Sequence, residues 1–484
     1  MTASAYPEVT VFTHATIITQ DPQRTIWLDA AIVIKSDRII AIRKTSEIVG
    51  DSDALPRNTR FVDCSGRIII PGLVNTHAHV AQSLLRGLAE DVPLHSWLCD
   101  AIWPLEAQFD GNDGYVAAKL TIAEMLKCGT TCFLEAMLTY RTGFDNVARA
   151  VQEMGIRACL GKLVKITDPH SKDGLPDPRD IDATQMSMET MLAAHAKHHG
   201  SCGGRLQAWA ALGTPRGSPE AAYHAIGDIC EEKGLGITMH CAEAPKDRLT
   251  YLEAYGYSPV EFCKRTKLIG PGRKTVLAHM VNLDLEKDLV LLRETGATVA
   301  HNPVCNSKLG SGIAAIPQML EAGVRVALGT DGAPCNNTYD MFREMHFAGL
   351  LHSGVHKEAG ILPAEDLLAM ATIRGAEALG LDNDIGSLEV GKKADFVILN
   401  VTTLGCAPFD STQVLDGGFD PVTAVVYSCT GANVESVVID GRVVVESHAL
   451  VGVSEQSIME NAKAAIQRIR KRLNFRTASL RNYK

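Results

Sequence analysis

The residues of this chain that could do chemistry are histidines and carboxylates, and the first of them come as a pair. His77 and His79 stand just past the apolar run 68–74, which reads as a buried strand interrupted by Pro71-Gly72. Side chains at i and i+2 of a strand point to the same face, so both imidazoles can converge on one point. That is what a metal needs, and neutral imidazole suits zinc, iron, nickel or copper. A lone His-x-His pair is equally well a pair of hydrogen-bonded core residues, so the metal reading depends on further ligands. The chain offers them at wide intervals: His240 three residues before Glu243, then His279, His301 and Asp331.

These residues need elements to bring them together. From 72 to 379 short apolar runs alternate with longer helical stretches. The strand candidates are 73–76, 131–135, 156–162, 206–212, 236–240, 275–279, 297–301 and 324–329. Helical stretches between them include 114–127, 145–154, 183–197, 219–233, 257–266, 285–294 and 314–322. Such alternation means parallel strands, and eight repeats predict a closed (β/α)₈ barrel. An open doubly wound sheet would usually carry a glycine-rich phosphate loop after its first strand, and none follows here. In a parallel barrel the strands' C-terminal ends form one functional face. The first strand runs into His77 and His79, the fifth ends at His240, the sixth at His279 and the seventh at His301. The eighth runs into Thr330-Asp331-Gly332. Each residue alone reads as a satisfied polar side chain or a cap. Five imidazoles and two carboxylates on one face predict a metal-dependent hydrolytic site.

The flanks are of another kind. Segments 9–19, 30–34, 39–42 and 61–70 read as short strands. After the barrel, a strand ends at Ile398, and 422–428 and 434–446 follow, the last with an Asp440-Gly441 hairpin turn. Neither flank can enclose a core alone, so the two are expected to pair as one small β-sandwich discontinuous in sequence. The expected domains are therefore 1–70 and 385–452 for the sandwich, 71–384 for the barrel, and 453–484 for a terminal helix and tail. That helix spans 454–473 with Ser454 as N-cap, and its basic end, Arg468 to Arg472, is expected to be a solvated face.

Bulk properties narrow the function. The hydrophobic fraction is 46%, the charged fraction 21% and the net charge −9. That balance argues against nucleic acid and anionic membrane as partners and leaves small molecules open. The 13 cysteines form no dense spacing pattern, which fits reduced thiols and a cytoplasmic setting. No signal peptide and no membrane span are expected.

The ordered motifs Pro71-Gly72-Leu73-Val74-Asn75-Thr76-His77-Ala78-His79, His240-x-x-Glu243, Ala278-His279, His301-Asn302-Pro303 and Gly329-Thr330-Asp331-Gly332 resemble those of the amidohydrolase superfamily. Within it the chain is similar to the aminohydrolase branch of adenosine-type, guanine-type and triazine enzymes, over about residues 9 to 450. Gly386-Ser387-Leu388-Glu389-Val390-Gly391-Lys392-Lys393-Ala394-Asp395 is also typical of that family. The resemblance implies that His77, His79, His240 and Asp331 hold one divalent metal, zinc first and iron as the alternative. Three nitrogens and one carboxylate leave a position for an activated water. It also implies that Asp331 accepts the water's proton, that His279 polarises the reacting centre, and that Glu243 shuttles a proton to the ring nitrogen. His301 either shapes the pocket or is structural, and Gln82 either faces the substrate or caps the following helix. A homodimer is implied as well.

Leu84-Leu85-Arg86-Gly87-Leu88-Ala89-Glu90-Asp91 and Trp97-Leu98 with Trp103-Pro104-Leu105-Glu106 resemble the deaminases of S-adenosylhomocysteine and methylthioadenosine. There the residue matching Trp97 packs on the nucleoside, although a core-packing role reads as well, and the one matching Glu106 accepts ribose hydroxyls. Other pocket positions depart from that group. Lys162 stands for an arginine and loses its bidentate fork. Thr214-Pro215-Arg216 replaces a histidine, and Cys335 replaces a serine. The expected reaction is deamination of an adenine nucleoside, with deamination or dechlorination of a guanine-like, pterin or triazine ring as the alternative. A ring-opening hydrolase of the same superfamily would usually carry a carboxylated lysine at the end of the fourth strand, where Leu212-Gly213-Thr214 has none. A non-catalytic scaffold would be expected to have lost a ligand or Glu243.

Overall fold

Pro71-Gly72 divides the run 68–74 between two sheets. In the computed structural model, which describes residues 8–51, 55–166, 177–215, 218–410, 413–414 and 418–473, β5 (Arg67–Pro71) ends there and β6 (Leu73–Ala78) begins. The described chain forms two compact units.

The first unit takes in the described parts of Met1–Asn75, Met125–Cys132 and Asp340–Val453. Its strands are β1 (Val9–Ile18), β2 (Ile26–Lys35), β3 (Arg38–Lys44), β4 (Arg60–Asp63) and β5. The C-terminal flank adds β14 (Phe396–Asn400), β15 (Val434–Ile439), β16 (Arg442–Glu446) and β17 (Ala449–Leu450). They make one mixed sheet in the order β17-β16-β15-β14-β5-β1-β2-β3, with β4 on β1. The β14–β5 pairing therefore joins the two flanks, as their patterns predict. Phe12, Ile32, Ile69, Phe396 and Val438 share one apolar core, where the Phe12 and Phe396 rings meet edge to face at 5.1 Å. Asp440 and Gly441 both take positive φ, as the predicted two-residue hairpin requires.

Two strand expectations on the flanks are corrected. The segment 61–70 is two strands, broken by a turn at Gly66. The segment 422–428 is helical, as Pro421–Thr423 and Ala424–Ser428. The cause is local. Pro421 starts the turn, and the Asp420 carboxylate accepts from the backbone N–H of Val422 at 3.0 Å and Thr423 at 3.2 Å. That cap outweighs the β-branched composition.

The second unit takes in the described parts of Thr76–Glu124, Phe133–Tyr339 and Ser454–Lys484. The eight-stranded sheet runs β6, β7 (Thr130–Leu138), β8 (Arg157–Leu163), β9 (Leu206–Leu212), β10 (Ile237–Cys241), β11 (Thr275–His279), β12 (Thr298–His301), β13 (Arg325–Leu328). The registered neighbours from β8 to β13 are parallel. The ring closes through a parallel bridge between Ala78 and Asp331. The Thr76 hydroxyl supports it by donating to Leu328 O at 2.8 Å. Almost every side chain of these strands is buried, which is why they read as continuous apolar runs rather than alternating ones.

The terminal helix, Glu455–Leu473, buries Ile458, Ala462, Ala465 and Ile469 along one stripe. Ser454 Oγ caps it, accepting from Ser457 N at 3.2 Å. Its basic end is not merely a solvated face. Arg468 Nη2 donates to the buried Asp113 carboxylate at 2.8 Å, and Arg472 Nη1 donates to Gln108 O at 2.6 Å.

Candidate metal and catalytic site

The barrel brings His77, His79, His240, Glu243, His279 and Asp331 to one end of its strands. The extended backbone of β6 continues through His79, just past its end, and puts both histidines on the interior, with the His77 and His79 ring centroids 5.2 Å apart and the His77 and His240 centroids 4.8 Å apart. The Nε2 atoms of His79 and His240 approach to 3.1 Å. Asp331 Oδ1 lies 3.4 Å from His79 Nε2 and 3.7 Å from His77 Nε2. Left-handed backbone at His279 (φ 76°) and Asp331 (φ 64°) turns these side chains off the strand ends. Such φ values are costly outside glycine and concentrate at functional sites.

Burial sets the charge states. It pushes His77 and His240 well below the usual histidine range and His79 below it, so the three rings are neutral. Burial also works against an ionised Asp331, but the surrounding imidazoles outweigh it and hold the carboxyl well below its usual range. His279 goes the other way: burial opposes its charge, and the facing Glu243 and Asp331 carboxylates prevail and raise it. Glu243 Oε2 and His279 Nε2 are 3.7 Å apart.

This donor set fits a divalent metal. Candidate ligand atoms of His77, His79 and His240 all lie within 4.8 Å of one another, as do those of His77, His279 and Asp331. Donors each about 2.1 Å from a tetrahedral ion stand about 3.4 Å apart, close to the spacings above. Three neutral imidazoles and one carboxylate are ligands in the protonation states a zinc or iron ion requires. His240 Nδ1 is buried and has no hydrogen-bond partner among the described residues.

A set of supporting residues went unseen in the sequence. Asn306 Oδ1 accepts from His279 Nδ1 at 2.9 Å, leaving Nε2 to face the site. Asn282 Nδ2 donates to Glu243 O at 2.7 Å and fixes that residue's backbone. Asp331 receives Gly332 N on Oδ1 at 2.7 Å and the Cys305 thiol on Oδ2 at 2.9 Å. Glu135, at 1% exposure, accepts from Val80 N at 2.6 Å and Met137 N at 2.9 Å, and burial raises its carboxyl to about 8. The segment Asn302-Pro303 to Asn306 carried the only available signal, through its place after the seventh strand.

The predicted pocket residues divide. Gln82 is half engaged: its Nε2 donates to Glu106 Oε1 at 3.0 Å, while its Oε1, which packs against Gly332, is buried with no hydrogen-bond partner among the described residues. Arg179 takes the other Glu106 oxygen at 2.6 Å, holds Asp177 at 2.8 Å and lies 4.8 Å over the Trp103 ring. Sequence reading missed Arg179, which belongs to no motif. Trp97 is buried at 4% exposure in the cluster that holds Trp103, Cys305 and Cys335, and its indole N–H has no partner among the described residues. Lys162 donates to Gln185 O at 2.8 Å and lines a cavity of about 180 Å³ with Tyr140 and Phe144. Cys335 Sγ donates to Gly332 O at 3.1 Å. His301 is buried at the end of β12 and joins none of the donor groups among the described residues. Arg216 lies outside the described residues.

A (β/α)₈ barrel whose strand ends gather these histidines and carboxylates defines a class of hydrolase acting on carbon–nitrogen bonds. The chain belongs to the amidohydrolase family, whose description matches residues 68–444. It is 36% identical over 409 residues to the 5-methylthioadenosine/S-adenosylhomocysteine deaminase of Syntrophomonas wolfei subsp. wolfei, covering 84% of this chain and 88% of that protein. It is 35% identical over 436 residues to the 5'-deoxyadenosine deaminase of Methanothermobacter thermautotrophicus, covering 90% and 93%. Among solved structures it is similar to an adenosine deaminase from Xanthomonas campestris with bound zinc. That match has a TM-score of 0.84 and 27% identity, and covers 96% of this chain and 98% of that one. Among the described residues no helix is long and apolar enough to cross a membrane.

Proposed function

We propose that this chain removes the exocyclic amino group of an adenine nucleoside by hydrolysis, releasing ammonia. The observation that carries the reading is the convergence of Asp331, His279 and Glu243 beside three neutral imidazoles. His77, His79, His240 and Asp331 would hold one divalent ion, zinc, with iron the alternative. When bound, such an ion brings the deprotonation of a water into the neutral range and acts as a Lewis acid. Asp331, held ionised, takes the water's proton. His279, oriented by Asn306, directs Nε2 at the attacked carbon's new oxygen and stabilises its charge. Glu243 shuttles the water's other proton to the neighbouring ring nitrogen, and Asp331 hands its proton to the departing amine, which restores both carboxylates.

Trp97 stacks on the base, and Glu106 receives the ribose hydroxyls, sharing oxygens already bound by Gln82 and Arg179. A carboxylate offers about four lone-pair positions, so it can serve both. Lys162, His301 and Cys335 complete the pocket, and Arg216 is proposed as a further substrate-binding residue. The named activities of the curated relatives support an adenosine-type substrate. Lysine at 162 and cysteine at 335 favour a second reading, in which a guanine-like, pterin or triazine ring is the substrate. The working molecule is a cytoplasmic homodimer, with 71–384 as the catalytic barrel, 1–70 and 385–452 as the β unit and 453–484 as the terminal segment.

The test is ammonia release by zinc-loaded protein from S-adenosylhomocysteine, methylthioadenosine, adenosine, guanine, pterins and aminotriazines. Release from an adenine nucleoside is expected, and Glu243→Gln should lower it by about 100- to 10,000-fold with the metal retained. Activity confined to free bases or triazines would replace the nucleoside by the second reading. A rate unchanged by Glu243→Gln would overturn the catalytic assignment.

A further inference from the structure

The two oxygens of Asp331 face different donor sets. Oδ1 looks toward His77 and His79, at 3.7 and 3.4 Å. Oδ2 lies 2.9 Å from Cys305 Sγ and 3.7 Å from His279 Nε2. Candidate ligand atoms of Cys305, Asp331 and Cys335 are all within 4.8 Å of one another, as are those of Glu243, His279 and Cys305. His279 Nε2 is buried and has no hydrogen-bond partner among the described residues. Both cysteines are 0% exposed and pack in an apolar cluster with Trp97, Trp103 and Leu309. The reaction proposed above uses neither thiol as a ligand.

The geometry points to a second cation site on the Oδ2 side of Asp331, formed by Cys305, Cys335 and Asp331 Oδ2 and suited to a soft divalent cation. Thiolates select soft ions such as cadmium, or zinc in excess, over magnesium or calcium. Charge makes a second ion tolerable in so dry a place. With one dication in the histidine cluster, the Asp331 and Glu243 carboxylates balance its charge. A second dication adds two positive charges, and each of the two S–H bonds then breaks to leave its electron pair on sulfur and its proton in solvent. The sum returns to zero and nothing is oxidised or reduced. An ion held there stands beside His279 and Glu243, so it excludes substrate. The site rests on the proposed first ion through the shared Asp331 carboxylate.

The test is a titration of the zinc-loaded full-length protein with cadmium chloride, followed by metal analysis, proton release and the ultraviolet thiolate-to-cadmium charge-transfer band. One zinc retained, one cadmium gained, the band and two protons released are expected. Cys335→Ser should weaken cadmium at least about tenfold and release one proton fewer. Cys305→Ser with Cys335→Ser should abolish the band while zinc stays, which also removes the partly exposed Cys99, Cys128 and Cys202 as its source. Cadmium that displaces zinc and leaves one ion per chain overturns the site. So does a second ion bound equally by the double variant. The two readings fail separately: failure of the protein to hold one zinc before cadmium is added overturns the first ion, and retained zinc without a second ion overturns only the thiol site.

Discussion

Asn306 decides which nitrogen of His279 faces the two carboxylates. Its amide oxygen accepts from Nδ1 at 2.9 Å, which leaves Nε2 toward Asp331 and Glu243. Asn306→Ala should lower kcat by about 10- to 100-fold with KM little changed, because orienting partners of site histidines are worth that much. Asn306→Asp should recover part of the loss. Glu135 allows a prediction with a definite sign. Burial lifts its carboxyl from an ordinary value of 4.5 to about 8 in the folded chain, while the unfolded chain releases that proton near the ordinary value. The folded state therefore binds the extra proton between those pH values, and stability falls as pH rises through that window. Glu135→Gln cannot titrate, so urea unfolding of the metal-free variant should show a flatter stability profile. The difference should be on the order of a few kcal/mol across the window.

At the scale of elements, the terminal helix is tied to the segment that carries Trp97 and Glu106. Ala465 and Ile469 enter the cluster of Trp97, Trp103 and Leu105, and Arg468 pairs with Asp113, whose side chain is only 2% exposed. Arg468 itself is half exposed, so solvent screens the pair. Arg468→Ala should cost about 1 kcal/mol, read as a drop in thermal midpoint. Ile469→Ala removes apolar burial as well and should cost about 2–4 kcal/mol. The 422–428 segment shows how a single cap overrides composition: Asp420→Ala removes both side-chain acceptors of that turn and should cost about 1 kcal/mol, measurable by urea unfolding.

For the molecule as a whole, the metal is expected to be part of the fold's stability. An ion that binds the native chain and not the unfolded one raises the melting temperature with its free concentration, by about 2.7 kcal/mol at one hundred times Kd. Chelation should therefore lower the melting temperature of the wild type, and His77→Ala should abolish the dependence on zinc. The β unit depends on close turns. Gly441 has φ of 73°, and a Cβ there would stand 1.8 Å from Ser36 O. Gly441→Ala should destabilise by more than about 1 kcal/mol, the cost of left-handed backbone plus displacement of the facing turn.

The sequence by itself determined the barrel and which histidines stand at the ends of its strands. Buried parallel strands read as unbroken apolar runs, and function collects where they end, so His77, His79, His240, His279 and Asp331 could be placed by counting strands. The Asp440-Gly441 hairpin was legible for a similar reason, since its backbone demands are local. What only the tertiary structure decided are pairings between residues far apart in the chain. Arg179 reaches Glu106 across 73 positions and Asn306 reaches His279 across 27, and neither leaves a periodic trace. The division of Asp331 between histidines on one oxygen and Cys305 on the other is of the same kind. Spacing along a strand states which way a side chain points. Which partner it meets is set by the closure of the ring, where β6 and the Asp331 turn come side by side.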